Sequence, residues 1–209
     1  EPLAGMTVRG FIEEVASRSS APGGGSAAAA IAAIGAGLGS MVGKLTYGKR
    51  KFENLDEKMR EIIPPLHFIS KKLIHMIDED TNAFNDFLNA IRMPKNTDEE
   101  KKTRHEAMQE GLKKAIDVPL STMKIGGEAW DAMVELAKYG NIASKSDVEV
   151  GARSLETGIW GAYKNVFINM PDIENEKFKK DITKEADEIL NRAKEKCEEV
   201  LKILDGREK

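Results

Sequence analysis

The chain has 209 residues, 41% of them apolar and 32% charged, with aromatics at only 6%. That length supports one sizeable core in one domain, and the composition is that of an ordinary soluble globular protein. Acidic residues number 35 and basic residues 32, a net charge of -3, which argues against a broad basic surface for nucleic acid. The single cysteine, Cys197, excludes an intramolecular disulfide and fits a reducing compartment such as the cytoplasm.

In chain order, residues 1–5 (EPLAG) read as a linker remnant, and a helical domain is expected over 6–205. The N-terminus lacks the basic region and apolar core of a signal peptide. Thr7 can cap a first helix whose inner face carries Phe11, Ile12 and Val15, and Pro22 to Gly25 break it. Ser26 then stands where an N-cap belongs, ahead of a long uncharged run that ends at Tyr47 and Gly48. This run is built of Ala and Gly instead of Leu, Ile and Phe, so a buried helix is expected and not a membrane span. Gly35, Gly39 and Gly43 recur every fourth residue and make one smooth face for a tight helix–helix contact or a dimer interface.

Helical pattern resumes near Phe52 and continues to about Ile91, with a break or kink expected at Pro64 and Pro65. Pro94, Asn96 and Thr97 form a turn, and Thr97 with Glu100 fits a capping box. A long helix follows, kinked at Pro119 and ending near Gly140 and Asn141. Ser146 or Asp147 is expected to cap the next one. Pro171 ends it, and Asp172 opens an amphipathic helix to about Leu204. No run alternates as a strand would. The expected fold is all-α, an up-and-down bundle of long helices.

Two features point to chemistry. In Gly23, Gly24, Gly25 and Ser26, glycines precede a helix, where backbone N–H groups can meet a carboxylate, a phosphate or a polar ring edge. A tight turn without a ligand explains the same residues. Asp80 falls in the apolar stripe of Ile77, Phe84, Phe87 and Ile91, whereas Asp78 and Glu79 point elsewhere, as solvated charges do. An inward acid has a perturbed pKa, the condition of a general acid or base, or it bridges a neighbouring helix. Thr81 competes with it for the inward slot. Asn169, in line with Leu155, Ile159, Ala162 and Val166, either binds a heterocycle or satisfies nearby backbone. Lys49, Arg50 and Lys51 either attract an anionic substrate tail or form a solvated helix end. His67, His75 and His105 show no metal-ligand spacing, so no metal is expected. No Ser-His-Asp nucleophile motif is present.

APGGGSAAAA followed by GLGSMVGKLTYGKR resembles the cyclodeaminase domain of the formimidoyltransferase-cyclodeaminase family, which includes stand-alone methenyltetrahydrofolate cyclohydrolases. IDEDTNAFNDFLNAIRMPKNTDEEK, VPLSTM and SDVEVGARSLETGIWGAYKNVFIN carry the same resemblance, from about Met6 to Leu204. It implies an all-helical homodimer, assembled into a larger ring in a bifunctional parent. It also implies closure of 5-formiminotetrahydrofolate to 5,10-methenyltetrahydrofolate with release of ammonia. Asp80 matches the family's catalytic acid, and Gly23, Gly24, Gly25 and Ser26 match its folate-pocket motif. Lys49 and Arg50 would then suit a polyglutamate tail. No cofactor is expected beyond tetrahydrofolate as the substrate carrier, and neither nucleic acid nor membrane is expected as a partner. A cyclohydrolase and a non-catalytic helical module for folate binding or dimerisation are the alternatives.

Overall fold

The Ala/Gly helix is the axis of the molecule. The computed structural model describes residues 2–207 as seven α-helices: α1 (Val8–Val15), α2 (Gly24–Thr46), α3 (Asp56–Ile91), α4 (Asp98–Gly127), α5 (Trp130–Tyr139), α6 (Lys145–Ile168) and α7 (Glu176–Asp205). No strand occurs among the described residues. Helix α2 packs along both α3 and α6, and α4 closes the group by contacting α3 and α6. Helix α7 covers α6, α5 and α4. The outcome is the expected all-α bundle of long helices.

Small residues let α2 sit inside this bundle. A Cβ at Gly35 would lie 2.7 Å from the Gly151 carbonyl and the Leu155 amide of α6, and one at Gly158 would lie 2.7 Å from the Ala28 carbonyl and the Ala32 amide. The two helices therefore meet backbone to backbone. Four residues turn a helix by slightly more than one revolution, so the Gly35-Gly39-Gly43 row drifts around α2. Gly35 faces α6, Gly39 faces Met133 of α5 and Leu66 of α3, and Gly43 faces Ile63 of α3. All three serve contacts within the chain. Helix α2 is long and apolar enough to cross a membrane, but most of that stretch is buried inside the bundle.

Several element boundaries differ from the sequence reading. Pro64 and Pro65 neither break nor divide α3, a single helix of 36 residues. The carbonyls that lose donors there belong to Arg60 and Glu61, and all four residues are exposed, so water can serve them. Pro119 likewise sits within α4. The expected single helix from Thr97 to Gly140 is instead two, because Gly126 and Gly127 end α4 and α5 starts anew at Trp130. Helix α6 begins before Ser146: Asn141 accepts from the Ala143 amide at 3.1 Å, and a 3₁₀ turn over Ile142–Ser144 leads in. Asn175, not Asp172, caps α7, accepting from the Phe178 amide at 2.9 Å. Ser26 is not the N-cap of α2, a position held by Gly23.

The N-terminal segment is also placed differently. Leu3–Gly5 forms a 3₁₀ turn held against α3, where the Leu3 amide donates to Asp78 Oδ1 at 2.6 Å. Asp78 is therefore an anchor and not a solvated charge, and Glu1 lies outside the described residues. Thr7 caps α1 as expected, accepting from the Gly10 amide at 3.1 Å. The face of α1 expected to point inward stays largely open, with Ile12 59% and Val15 39% exposed. This two-turn helix lies over a groove floored by Ala27, Ala30, Ile34 and Ile77 without filling it.

Candidate functional site

A cavity of about 280 Å³ opens at the N-terminus of α2, between α3, α4 and α6. The chain reaches it through Ala21 and Pro22, joined by a cis peptide bond, and then Gly23 in an extended conformation. Gly23, Gly24 and Gly25 form one wall, and Asp80 and Thr81 come from α3. Helix α6 contributes Asn165, the C-cap residue after it is Asn169, and α4 contributes Ala115. Pro119 has no N–H to give the Ala115 carbonyl, which is left without its usual helical donor.

The glycines are needed for proximity and not for unusual backbone angles, since none of the three has a positive φ. A Cβ on Gly25 would overlap the Asp80 carboxylate. A Cβ on Gly24 would lie 3.2 Å from Asn165 Nδ2. Asp80 thus sits directly on the first turn of α2, where unpaired amides and the positive end of the helix dipole converge. Ser26, fully buried one turn into α2, lies beneath it. The Ser26 hydroxyl is 2.7 Å from the Ile77 carbonyl, 3.3 Å from Asp80 Oδ2 and 3.1 Å from the Thr81 hydroxyl.

Burial pushes the Asp80 carboxyl above the ordinary carboxylate range, against the opposing pull of the Ser26 hydroxyl and amide. Among the described residues, no other titratable side chain lines the cavity. An acid that is half-buried, holds its proton more firmly than an ordinary carboxyl and is backed by a helix N-terminus can both release and accept a proton at a bound nitrogen. Among the described residues, no three His, Cys, Asp or Glu side chains are grouped to hold a metal ion.

A family model described as formiminotransferase-cyclodeaminase matches residues 7–188. The chain belongs to the formiminotransferase-cyclodeaminase family. It is 54% identical over 207 residues to a formimidoyltransferase-cyclodeaminase of Dictyostelium discoideum, covering 99% of this chain and 38% of that protein. The corresponding protein of Sus scrofa is 47% identical, with 100% and 38% covered. The chain therefore spans about 38% of the length of these relatives. A methenyltetrahydrofolate cyclohydrolase of Methylorubrum extorquens is 36% identical over 187 residues, with 90% of each chain covered. Among solved structures, formiminotetrahydrofolate cyclodeaminase from Thermotoga maritima superposes with a TM-score of 0.85 at 25% identity, covering 96% of both chains.

In this member of the formiminotransferase-cyclodeaminase family, the fold brings Gly23, Gly24, Gly25, Asp80 and Asn169 to one cavity, with Ser26 under its floor. It does not bring Lys49 and Arg50 there. They follow the far end of α2, whose 23 residues span roughly 34 Å. Asn165 was not singled out in the sequence. It stands one turn before Asn169, and its Nδ2 donates to the Gly161 carbonyl at 2.8 Å, so its Oδ1 is the free acceptor of this side chain. The repeat of Asn at a four-residue spacing is the signal that could have found it.

Proposed function

We propose that this chain is an ammonia lyase that closes 5-formiminotetrahydrofolate to 5,10-methenyltetrahydrofolate and releases ammonia, with Asp80 as general acid and base. The observation that carries this reading is a carboxyl seated against the N-terminus of α2, in a cavity lined by no other titratable group among the described residues. Membership of the family supports the substrate class.

In the reaction, the N10 amine attacks the formimino carbon. With the formimino nitrogen already protonated, Asp80 takes the proton that N10 loses and passes it to the departing amine, so that ammonia leaves as the cationic methenyl bridge forms. Ring closure is intramolecular, and holding the folate in the closing geometry supplies much of the acceleration. This chemistry needs no metal or redox cofactor, and tetrahydrofolate is the carrier being modified. Asn165 and Asn169 offer amide groups to a heterocycle, and the first amides of α2 suit its polar edge. The cytoplasm is the proposed compartment.

The test is absorbance in the methenyltetrahydrofolate band, with 5-formiminotetrahydrofolate supplied and ammonia assayed in parallel. A rise with stoichiometric ammonia is expected. Silence there and with methenyltetrahydrofolate would leave a non-catalytic helical module. A second reading, methenyltetrahydrofolate cyclohydrolase, is favoured by the Methylorubrum extorquens relative, because 90% of that protein is covered by this chain. It predicts accelerated loss of the band when methenyltetrahydrofolate is supplied.

Gly25→Ala is expected to lower kcat/KM by about a hundredfold, because the added methyl must displace the Asp80 carboxyl from its working position. Steady-state kinetics check this, and wild-type rates in the variant would show that Asp80 does not work from this position.

We also propose a homodimer. Ile34, Met41 and Leu45 of α2 and Phe68 and Ile74 of α3 are all exposed. Met41 and Leu45 line one groove and Ile34 and Ile74 another, the two sharing Gly37 and Ser70, an apolar face of the kind subunit contacts cover. Sedimentation should give twice the 23.0 kDa chain mass, and Ile34→Glu should shift it to one.

A further inference from the structure

The Ser26 hydroxyl has one proton and three oxygen neighbours. The shortest contact, 2.7 Å, is to the Ile77 carbonyl, and the contact to Asp80 Oδ2 is 3.3 Å. A hydroxyl donates once and can accept twice. When its proton points to Ile77, Ser26 can only accept from Asp80, and an acid can donate only if it is protonated. When its proton points to Asp80, the carboxylate is served and the Ile77 carbonyl keeps its helical partner, the Thr81 amide. The Thr81 hydroxyl, 3.1 Å away, can donate into Ser26 in both arrangements.

We propose that the Ser26 hydroxyl is a pivot that follows the proton on Asp80, turned toward Ile77 when Asp80 is neutral and toward Asp80 when it is ionised, with Thr81 as the constant donor that holds the pivot in place. Ser26 and Thr81 are then positioning residues acting through Asp80. The assignment rests on the acid/base role proposed above, and it explains how one buried carboxyl can serve both steps. Neither protonation state leaves a buried polar group unpaired, and only a hydroxyl proton has to move. That is preorganisation for a group that must be base and then acid.

Among the described residues, no charged group lining the cavity joins burial and Ser26 in setting the proton affinity of Asp80. The turn before α2 contributes Ser20 and Ala21 to the cavity, α4 contributes Ala115, and α6 with its C-cap contributes Asn165, Ile168 and Asn169. None of these titrates. On α3, Asp78 is tied to the Leu3 amide, and Glu79 is exposed on the side where Lys114 of α4 pairs with Asp86. Burial also fits the pivot: Ser26 is fully buried, so no water competes with Ile77, Asp80 and Thr81 for its hydroxyl.

The experiment is a carbon-13 titration of the Asp80 carboxyl in the free protein, for wild type, Ser26→Ala, Thr81→Val and Thr81→Ser, with the pH profile of kcat/KM beside it. Ser26→Ala removes the carboxylate's hydroxyl donor and leaves the backbone amide at that position in place, but it costs the neutral acid only an acceptor. The Asp80 midpoint should rise by about one pH unit, a tenfold change in proton affinity. Thr81→Val should move it in the same direction by less, because an undonated hydroxyl is a weaker donor. Thr81→Ser should restore the wild-type midpoint. The kinetic profile should shift with the carboxyl. An unmoved midpoint in Ser26→Ala, with only the melting temperature lowered, overturns the pivot and leaves Ser26 as a clamp on Ile77. Shifted midpoints in a protein that turns over neither folate substrate would uphold the pivot and refute the proposed reaction.

Discussion

Asp80→Asn is expected to leave a folded protein whose rate of methenyltetrahydrofolate formation is lower by about a thousandfold, within the range that a positioned acid/base group contributes. The amide keeps the shape of the side chain and its place against Gly25, but it cannot carry a proton between two nitrogens. The same variant carries a stability signature. Burial raises the folded-state pKa of Asp80 above that of the unfolded chain. Between those two values the folded protein binds a proton that the unfolded chain releases, so this group's contribution to stability declines as pH rises. Above the folded value the full penalty remains. Asn has no such penalty. Asp80→Asn should therefore melt at or above the wild-type temperature at neutral pH, and the difference should close as pH falls through the ordinary carboxylate range. Thermal melts across a pH series check this. A variant that melts lower at neutral pH, by a widening margin, would mean that the ionised carboxylate holds the α2 terminus in place.

Gly158→Ala is the second large effect, and its sign decides between two principles. Helix propensity alone predicts about 1 kcal/mol of stabilisation for Gly→Ala within a helix. Packing predicts the reverse, since the new methyl would stand 2.7 Å from both the Ala28 carbonyl and the Ala32 amide. Those are backbone atoms of a helix fixed on both sides by α3 and α6, and they cannot swing away as a side chain would. Overpacking of this kind costs about 3 kcal/mol, so the net loss should be about 2 kcal/mol. For a chain of this size that lowers the melting temperature by about 6 °C. Differential scanning calorimetry gives the sign directly. A higher melting temperature would show that α2 and α6 can separate without loss. Because α2 and α6 also carry Gly24 and Asn165 to the cavity, the variant should weaken substrate binding along with stability.

Much of what depends on neighbours a turn or so apart was legible in the sequence. Apolar period marked the long helices. Thr97 and Glu100 form the capping box they suggested, with the Glu100 amide donating to Thr97 Oγ1 at 3.1 Å and Glu100 Oε2 accepting from the Thr97 amide at 3.2 Å. The stripe from Ile77 to Phe84 placed Asp80 on the inner face, and the glycine-rich start of α2 marked a close approach. Only the tertiary structure decided which groups meet. Asn165 reaches Gly24 because α6 crosses α2 there, and no local pattern encodes that crossing. Pro64 and Pro65 read as a break, yet their helix continues because its freed carbonyls face water. Lys49 and Arg50 read as suited to an anionic substrate tail, and the length of α2 sets them at the end of that helix away from the glycine turn. The apolar residues of α1 read as buried, but so short a helix follows whatever surface it can cover. Local chemistry fixes period, caps and the inward acid. Partners across the bundle depend on packing between segments distant in the chain, which a single sequence does not spell out.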